Sequence, residues 1–150
     1  MRHLSTFIVF LLCSNAFGEE RKQSIHVQFS NTWSGKAPDG TTVSYEFSKT
    51  GKVIWRVEVK GEEKVKLEAK YKLVYAEPHL KIDILDFVDP DFKGVVFRGI
   101  IQILGSDSFK MEGTPSMEGD RPKAFSEEAI EFAVVEEESA VEAALPNVPE

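Results

Sequence analysis

The chain has 150 residues, 42% of them hydrophobic, one cysteine and a formal net charge of -7 at pH 7, which suits a single domain able to bury its own core. Residues 19–125 hold 17 acidic and 17 basic side chains, whereas 126–150 hold eight glutamates and no Lys or Arg. The body is therefore electrically balanced and lacks the basic surface that releases counterions from phosphate, which argues against a nucleic-acid partner.

Residues 1–18 read as a secretory signal. Arg2 and His3 give a basic, polar start, Leu4 to Cys13 a mostly apolar run, and Ala16-Phe17-Gly18 a small-x-small cleavage site. The expected mature chain starts at Glu19 and is secreted or periplasmic. Because the apolar run is about half of the ~20 residues that cross a bilayer, no transmembrane anchor is expected. A lipoprotein lipidated on Cys13 is the lesser alternative, since Leu12 stands where such signals want a small residue. Without Cys13 the mature chain can form no disulfide, thiolate nucleophile or cysteine metal site.

Beyond the signal segment the dominant pattern is period-two alternation. Ile25, Val27 and Phe29 form one such set; Val43, Tyr45 and Phe47 a second; Val53, Trp55, Val57 and Val59 a third. The clearest runs from Lys64 to Tyr75, where Val65, Leu67, Ala69, Tyr71, Leu73 and Tyr75 alternate with lysines and a glutamate. Only an extended strand separates these two sets, because a helix turns about 100° per residue and would mix them. Gly51 and Gly61 close hairpin turns on either side of the third set, glycine tolerating the positive φ such turns need. Leu80, Ile82 and Ile84 continue the pattern. Asp89-Pro90-Asp91-Phe92-Lys93-Gly94 is dense in turn formers and leads into Val95 to Leu104, apolar on both faces and so expected to be central or doubly covered.

Gly105 to Ser108 turns into a short strand at Phe109-Lys110-Met111, and Gly113 to Gly119 reads as a loop. Beyond it two signals compete. Ser126 before two glutamates suits a helix N-cap, while Ile130, Phe132 and Val134 alternate as a closing strand would. Residues 136–150 form an acidic, solvated tail. About eight short strands without an interior helix indicate an all-β fold, an antiparallel barrel or sandwich over residues 19–135, and closure into a barrel suits the chain because it removes exposed edges. An eight-stranded barrel is just wide enough to fill with side chains or to hold one small ligand.

Chemistry-bearing constellations are scarce. His26 and His79 are far apart and have no neighbour at metal-ligand spacing, so no metal or cofactor is expected. Ser106 and Ser108 sit in a turn without a Gly-x-Ser-x-Gly elbow, and no catalytic residue is assigned. Asp83, Asp86, Asp89 and Asp91 cluster in sequence. Asp89 and Asp91 suit Asx hydrogen bonds in a turn better than a calcium loop, whose further acidic ligands are missing.

Pro78, Ile82-Asp83-Ile84, Phe97-Arg98-Gly99-Ile100-Ile101 and Arg121-Pro122-Lys123-Ala124-Phe125 form a spaced set that resembles the lipocalin-like family of short secreted bacterial proteins known mainly from planctomycete genomes. The resemblance implies a lipocalin-like barrel, with Trp33, Asp83, Gly99, Arg121, Pro122 and Phe125 as structural signature residues and no established activity. By the same analogy Trp33 and Arg121 would stack as a cation-π pair at the closed end of the barrel.

Three functions compete. The first is a non-enzymatic exported barrel that binds a small apolar or amphipathic molecule through Tyr45, Trp55, Tyr71 and Phe97, although a solidly filled core is the plainer reading of these rings. The second is a structural or interaction protein whose acidic tail contacts a basic protein partner. The third is a hydrolase using Asp83 or Asp91.

Overall fold

The computed structural model describes residues 29–116 and 119–136. The expected signal segment, Ile25, His26, Val27 and the acidic tail beyond Glu136 lie outside the described residues. Eight strands follow one another: β1 (Thr32–Lys36), β2 (Thr42–Phe47), β3 (Lys52–Val59), β4 (Glu62–Val74), β5 (Leu80–Leu85), β6 (Val96–Ile103), β7 (Ser108–Ser116) and β8 (Ile130–Val134). Each pairs antiparallel with the next, and β8 returns to β1 through Trp33↔Val134, Ser34↔Ala133 and Gly35↔Phe132, so the sheet closes into a barrel. Closure leaves no edge strand to template pairing with another chain.

The alternation works as expected in β4. Leu67, Ala69 and Tyr71 are buried and Val65 and Leu73 half-buried, while Lys64, Lys66, Lys70 and Lys72 are exposed. A register slip of one residue would turn those lysines inward, which fixes the pairing. Between β3 and β4, Val59 pairs with Glu62, leaving Lys60 and Gly61 as a two-residue turn with φ of 53° and 79°. Both positive values mark a type I′ turn, whose twist matches the strands it joins. Tyr75 lies past the end of β4 and is 51% exposed, outside the apolar face to which the alternation assigned it.

Several boundaries differ from the sequence expectation. Phe29 is not in a strand. It precedes β1, and its ring plugs one end of the barrel at 1% exposure. The first strand is instead built around Trp33, where glycine and polar neighbours hide the alternation. Gly113 to Ser116, expected in a loop, continue β7 and pair with β6 from Gly99 to Val96. Pro115 stands near the strand's end opposite Phe97, where the ladder bond it cannot donate matters least. Residues 126–134 satisfy both competing signals in turn. The Ser126 hydroxyl accepts from the Glu128 amide (3.1 Å) and its carbonyl from Ala129 (3.3 Å), making one capped turn before β8 closes the barrel.

The Asp89 turn forms as expected. Its carboxylate accepts from the Asp91 amide at 2.9 Å and caps a short 3-10 turn over Pro90–Phe92.

The meander topology divides the connections between two ends. The β2–β3, β4–β5 and β6–β7 turns share one end with Phe29 and Val135, and the other four connections share the opposite end. The first end is packed solid with rings. Phe29 lies 5.0 Å from Phe109, 5.8 Å from Trp33 and 5.8 Å from Phe47, centroid to centroid, and Trp33 lies 4.8 Å from Phe109. The Trp33 Nε1 donates to the Phe29 carbonyl at 3.1 Å, so the indole's polar edge is satisfied inside the plug. Burying rings of this size dominates the stability of a chain without disulfides, at about 1.5–3 kcal/mol for each fully buried large side chain.

Candidate functional site

The opposite half of the barrel is hollow. A cavity of about 460 Å³ lies between β2, β3, β6, β7 and β8, within the ~300–1,000 Å³ range of small-molecule sites. Tyr45, Trp55 and Phe97 line it, three of the four residues expected to contact a ligand. Alternation places them on the inner face, and register brings them together. Tyr45 pairs with Trp55 across β2–β3, and their rings lie 5.6 Å apart. Trp55 meets Phe97 edge-on at 5.4 Å across the lumen.

Tyr71, the fourth, is not part of this cavity. Its hydroxyl donates to the Ser48 carbonyl at 2.8 Å, and its ring packs edge-on against Phe47 at 4.8 Å, which fixes it toward the plugged end. Partial burial pushes its phenol up from the ordinary value. Val43, Met111, Ile130 and Phe132 complete the apolar wall. They belong to alternating runs whose inward face was legible, yet which end of the barrel each would reach was not.

One polar group in this wall lacks a partner among the described residues. The Trp55 Nε1 is buried without a hydrogen-bond acceptor among the described residues. Leaving such a donor unsatisfied costs about 1–3 kcal/mol. Tyr45 is 2% exposed, and desolvation alone drives its phenol well above the ordinary range. Glu112, Thr114 and Glu128 also line the cavity, with no Lys, Arg or His among the described lining residues.

The residues expected as structural signatures lie elsewhere. The connection from β7 to β8 runs along the outside of the barrel, where Arg121 reaches Asp83 and the Gly99 carbonyl and Phe125 packs near His79 and Lys110. Arg121 Nη1 donates to the carbonyls of Ile82 (2.9 Å) and Gly99 (2.6 Å), and its Nη2 to Asp83 Oδ1 (2.5 Å). Arg98 donates to the Gly119 carbonyl at 3.4 Å, and Glu112 accepts from the Ser126 amide (2.6 Å) and hydroxyl (2.8 Å). Phe125 packs edge-on against His79 at 4.9 Å, under the Lys110 ammonium at 5.7 Å. Ile100 points outward yet is 3% exposed, which explains why β6 reads as apolar on both faces. Pro122 is half-buried in the same strap.

Trp33 and Arg121 do not form the stacked pair implied by analogy. Trp33 is held inside the plug by Phe29 and Phe109, whereas Arg121 is bound to Asp83 and two strand carbonyls on the outer wall. The four aspartates that cluster in sequence also part company. Asp83 faces Arg121, Asp86 accepts from Lys70 at 3.1 Å, and Asp89 caps its own turn. Among the described residues, no three His, Cys, Asp or Glu side chains converge, and no helix is long and apolar enough to cross a membrane.

Comparison with known proteins gives no neighbour to draw on. No family model, no curated protein and no solved structure matches this chain.

Proposed function

We propose that this chain is an exported, non-enzymatic, lipocalin-like barrel that holds a small apolar or amphipathic molecule at its hollow end. The observation that carries this reading is the asymmetry of the lumen. One end is filled by Phe29, Trp33, Phe47 and Phe109, while the other keeps about 460 Å³ walled by aromatic and aliphatic side chains. A barrel selected only for stability gains by filling such space, since lining atoms facing a void lose their packing partners. Export rests on the sequence of residues 1–18. The lipocalin-like resemblance rests on the spaced signature residues of the sequence.

Two features speak against a hydrolase. Asp83 is neutralised by Arg121, and Asp91 sits exposed in a turn remote from the cavity wall, whereas general acid-base work needs convergent groups facing a substrate. The test is a titration of the full chain with Nile red, a neutral apolar dye. Saturable enhancement at one dye per chain, lost in Val43→Trp, which fills the cavity from β2, is the expected result. Enhancement that does not saturate, or that Val43→Trp leaves intact, refutes it.

A further inference from the structure

We infer that the ligand of this cavity is an uncharged molecule carrying a hydrogen-bond acceptor, such as a ketone, ester or amide carbonyl, bound with that acceptor at Trp55 and Tyr45, and that anionic ligands such as fatty acid carboxylates are rejected. This inference rests on the binding reading above and names the chemistry that the site selects.

Three observations converge on it. The first is the unsatisfied donor. Trp55 Nε1 can only donate, and no acceptor among the described residues meets it. The other tryptophan in the chain shows the alternative, since Trp33 Nε1 is given a carbonyl 3.1 Å away although it too lies in the interior. The difference is position: Trp33 is in the plug and Trp55 lines the cavity. The Trp55 nitrogen is covered, so an incoming acceptor reaches it through a small turn of the half-buried indole about its edge-on contact with Phe97.

Tyr45 adds a second polar group beside it. Its ring lies 5.6 Å from Trp55 and it lines the same cavity. A hydroxyl both donates and accepts, so a carbonyl oxygen placed between the two rings can take one bond from each.

The third observation is charge. No cationic side chain among the described residues lines the cavity, and two of its lining residues, Glu112 and Glu128, are acids. A carboxylate entering this wall would lose its hydration with no counter-charge to replace it and would add a like charge to those of Glu112 and Glu128. A neutral carbonyl pays neither penalty.

A matched series on one apolar body tests this directly: 2-acetylnaphthalene, 2-naphthoate and 2-methylnaphthalene, each titrated by calorimetry into the full chain at pH 7. The indole N–H signals are followed in parallel by two-dimensional ¹⁵N NMR, the Trp55 signal being identified by its loss in Trp55→Phe. The expected result is that the ketone binds at least about tenfold more tightly than the carboxylate, a difference one satisfied or lost buried hydrogen bond can supply. The ketone should also move the Trp55 indole signal while leaving that of Trp33 in place, and Trp55→Phe should weaken the ketone about tenfold while changing 2-methylnaphthalene little. Equal or tighter binding of 2-naphthoate overturns the inference while leaving the binding reading intact, as does ketone binding that neither shifts the Trp55 signal nor depends on Trp55. If none of the three binds, the binding reading itself falls.

Discussion

Arg121→Ala should be the most damaging single change outside the barrel's interior. Its guanidinium, 18% exposed, donates to two carbonyls on neighbouring strands and to the Asp83 carboxylate, itself 28% exposed. Hydrogen bonds to a charged group contribute about 1.5–3 kcal/mol each when buried. Water reaches the mutated site through the partly exposed Asp83 and recovers part of the loss, so the net cost should be about 3 kcal/mol rather than the sum of three bonds. Asp83→Asn keeps a neutral acceptor and leaves both carbonyl bonds, and should cost about 1 kcal/mol. Arg121→Lys should recover less than half of the Arg121→Ala loss, because a single ammonium cannot span a carboxylate and two carbonyls as a planar fork does. Urea unfolding of the full chain measures all three, and in a thermal melt about 3 kcal/mol corresponds to roughly 10 °C at this length. The assignment of the strap as a structural clasp is refuted if Arg121→Ala costs under about 1 kcal/mol, or if Asp83→Asn costs as much as Arg121→Ala.

Other changes separate backbone from side-chain crowding. A Cβ on Gly35 would stand 2.5 Å from the Glu131 carbonyl oxygen in the strand that closes the barrel, whereas a Cβ on Gly113 would meet the Phe97 ring at 2.3 Å. Gly113→Ala should therefore cost about 1–3 kcal/mol and Gly35→Ala more, since a ring can swing aside but the β1–β8 seam can only open; urea midpoints rank them, and the reverse order refutes this. If the displaced Phe97 ring swings into the lumen, Gly113→Ala also weakens Nile red binding while the barrel stays folded, as far-UV circular dichroism would report. Phe109→Ala, in the plug, should cost about 3–5 kcal/mol with little effect on dye binding by the surviving folded fraction. High pH should loosen the barrel: burial raises the Tyr45 and Tyr71 phenols above the ordinary value of 10.0, so the stability they add is fully present below about pH 10 and falls as pH climbs beyond it. Tyr45→Phe should flatten that alkaline loss in urea titrations between pH 8 and 11, and an unchanged slope counts against it.

The barrel was legible because its longest strand alternates without a break. From Val65 to Leu73 the sequence admits one solution, and the flanking Gly51 and Gly61 set the turns. Boundaries were lost where local residues conflict with the pattern. β1 holds Ser34 and Gly35 between its one large inward residue and the following turn, too few apolar positions to register a period. Phe29 continues an apparent alternation yet ends up as a plug, because one buried ring is worth the same to a period whether it sits in a strand or before it. Gly113 and Pro115 read as loop by composition, although cross-strand pairing with β6 overrides their weak propensity. The cavity residues were legible as inward-facing, and three of four lie on it. Tyr71 was misassigned because the two ends of a barrel strand carry identical alternation, and only the cross-strand register shows which end is plugged.

That same register shows where the hollow comes from. Inward positions toward the plug carry rings, whereas Gly35, Gly99 and Gly113 occupy inward positions nearer the mouth. Gly99 and Gly113 face each other across β6–β7, and the Phe97 ring lies over the space their missing side chains leave. A side chain at either glycine would press that ring toward Trp55 and Tyr45, so two absent methyl groups hold an aromatic ring against the wall and keep the lumen open. Glycine in a strand weakens it, and two paired glycines in the middle of a closed sheet forgo packing that alanine would supply. Such a cost is easiest to understand where open space is itself what the molecule uses, which ties the two glycines to the unpartnered indole of Trp55 on the far side of the same cavity.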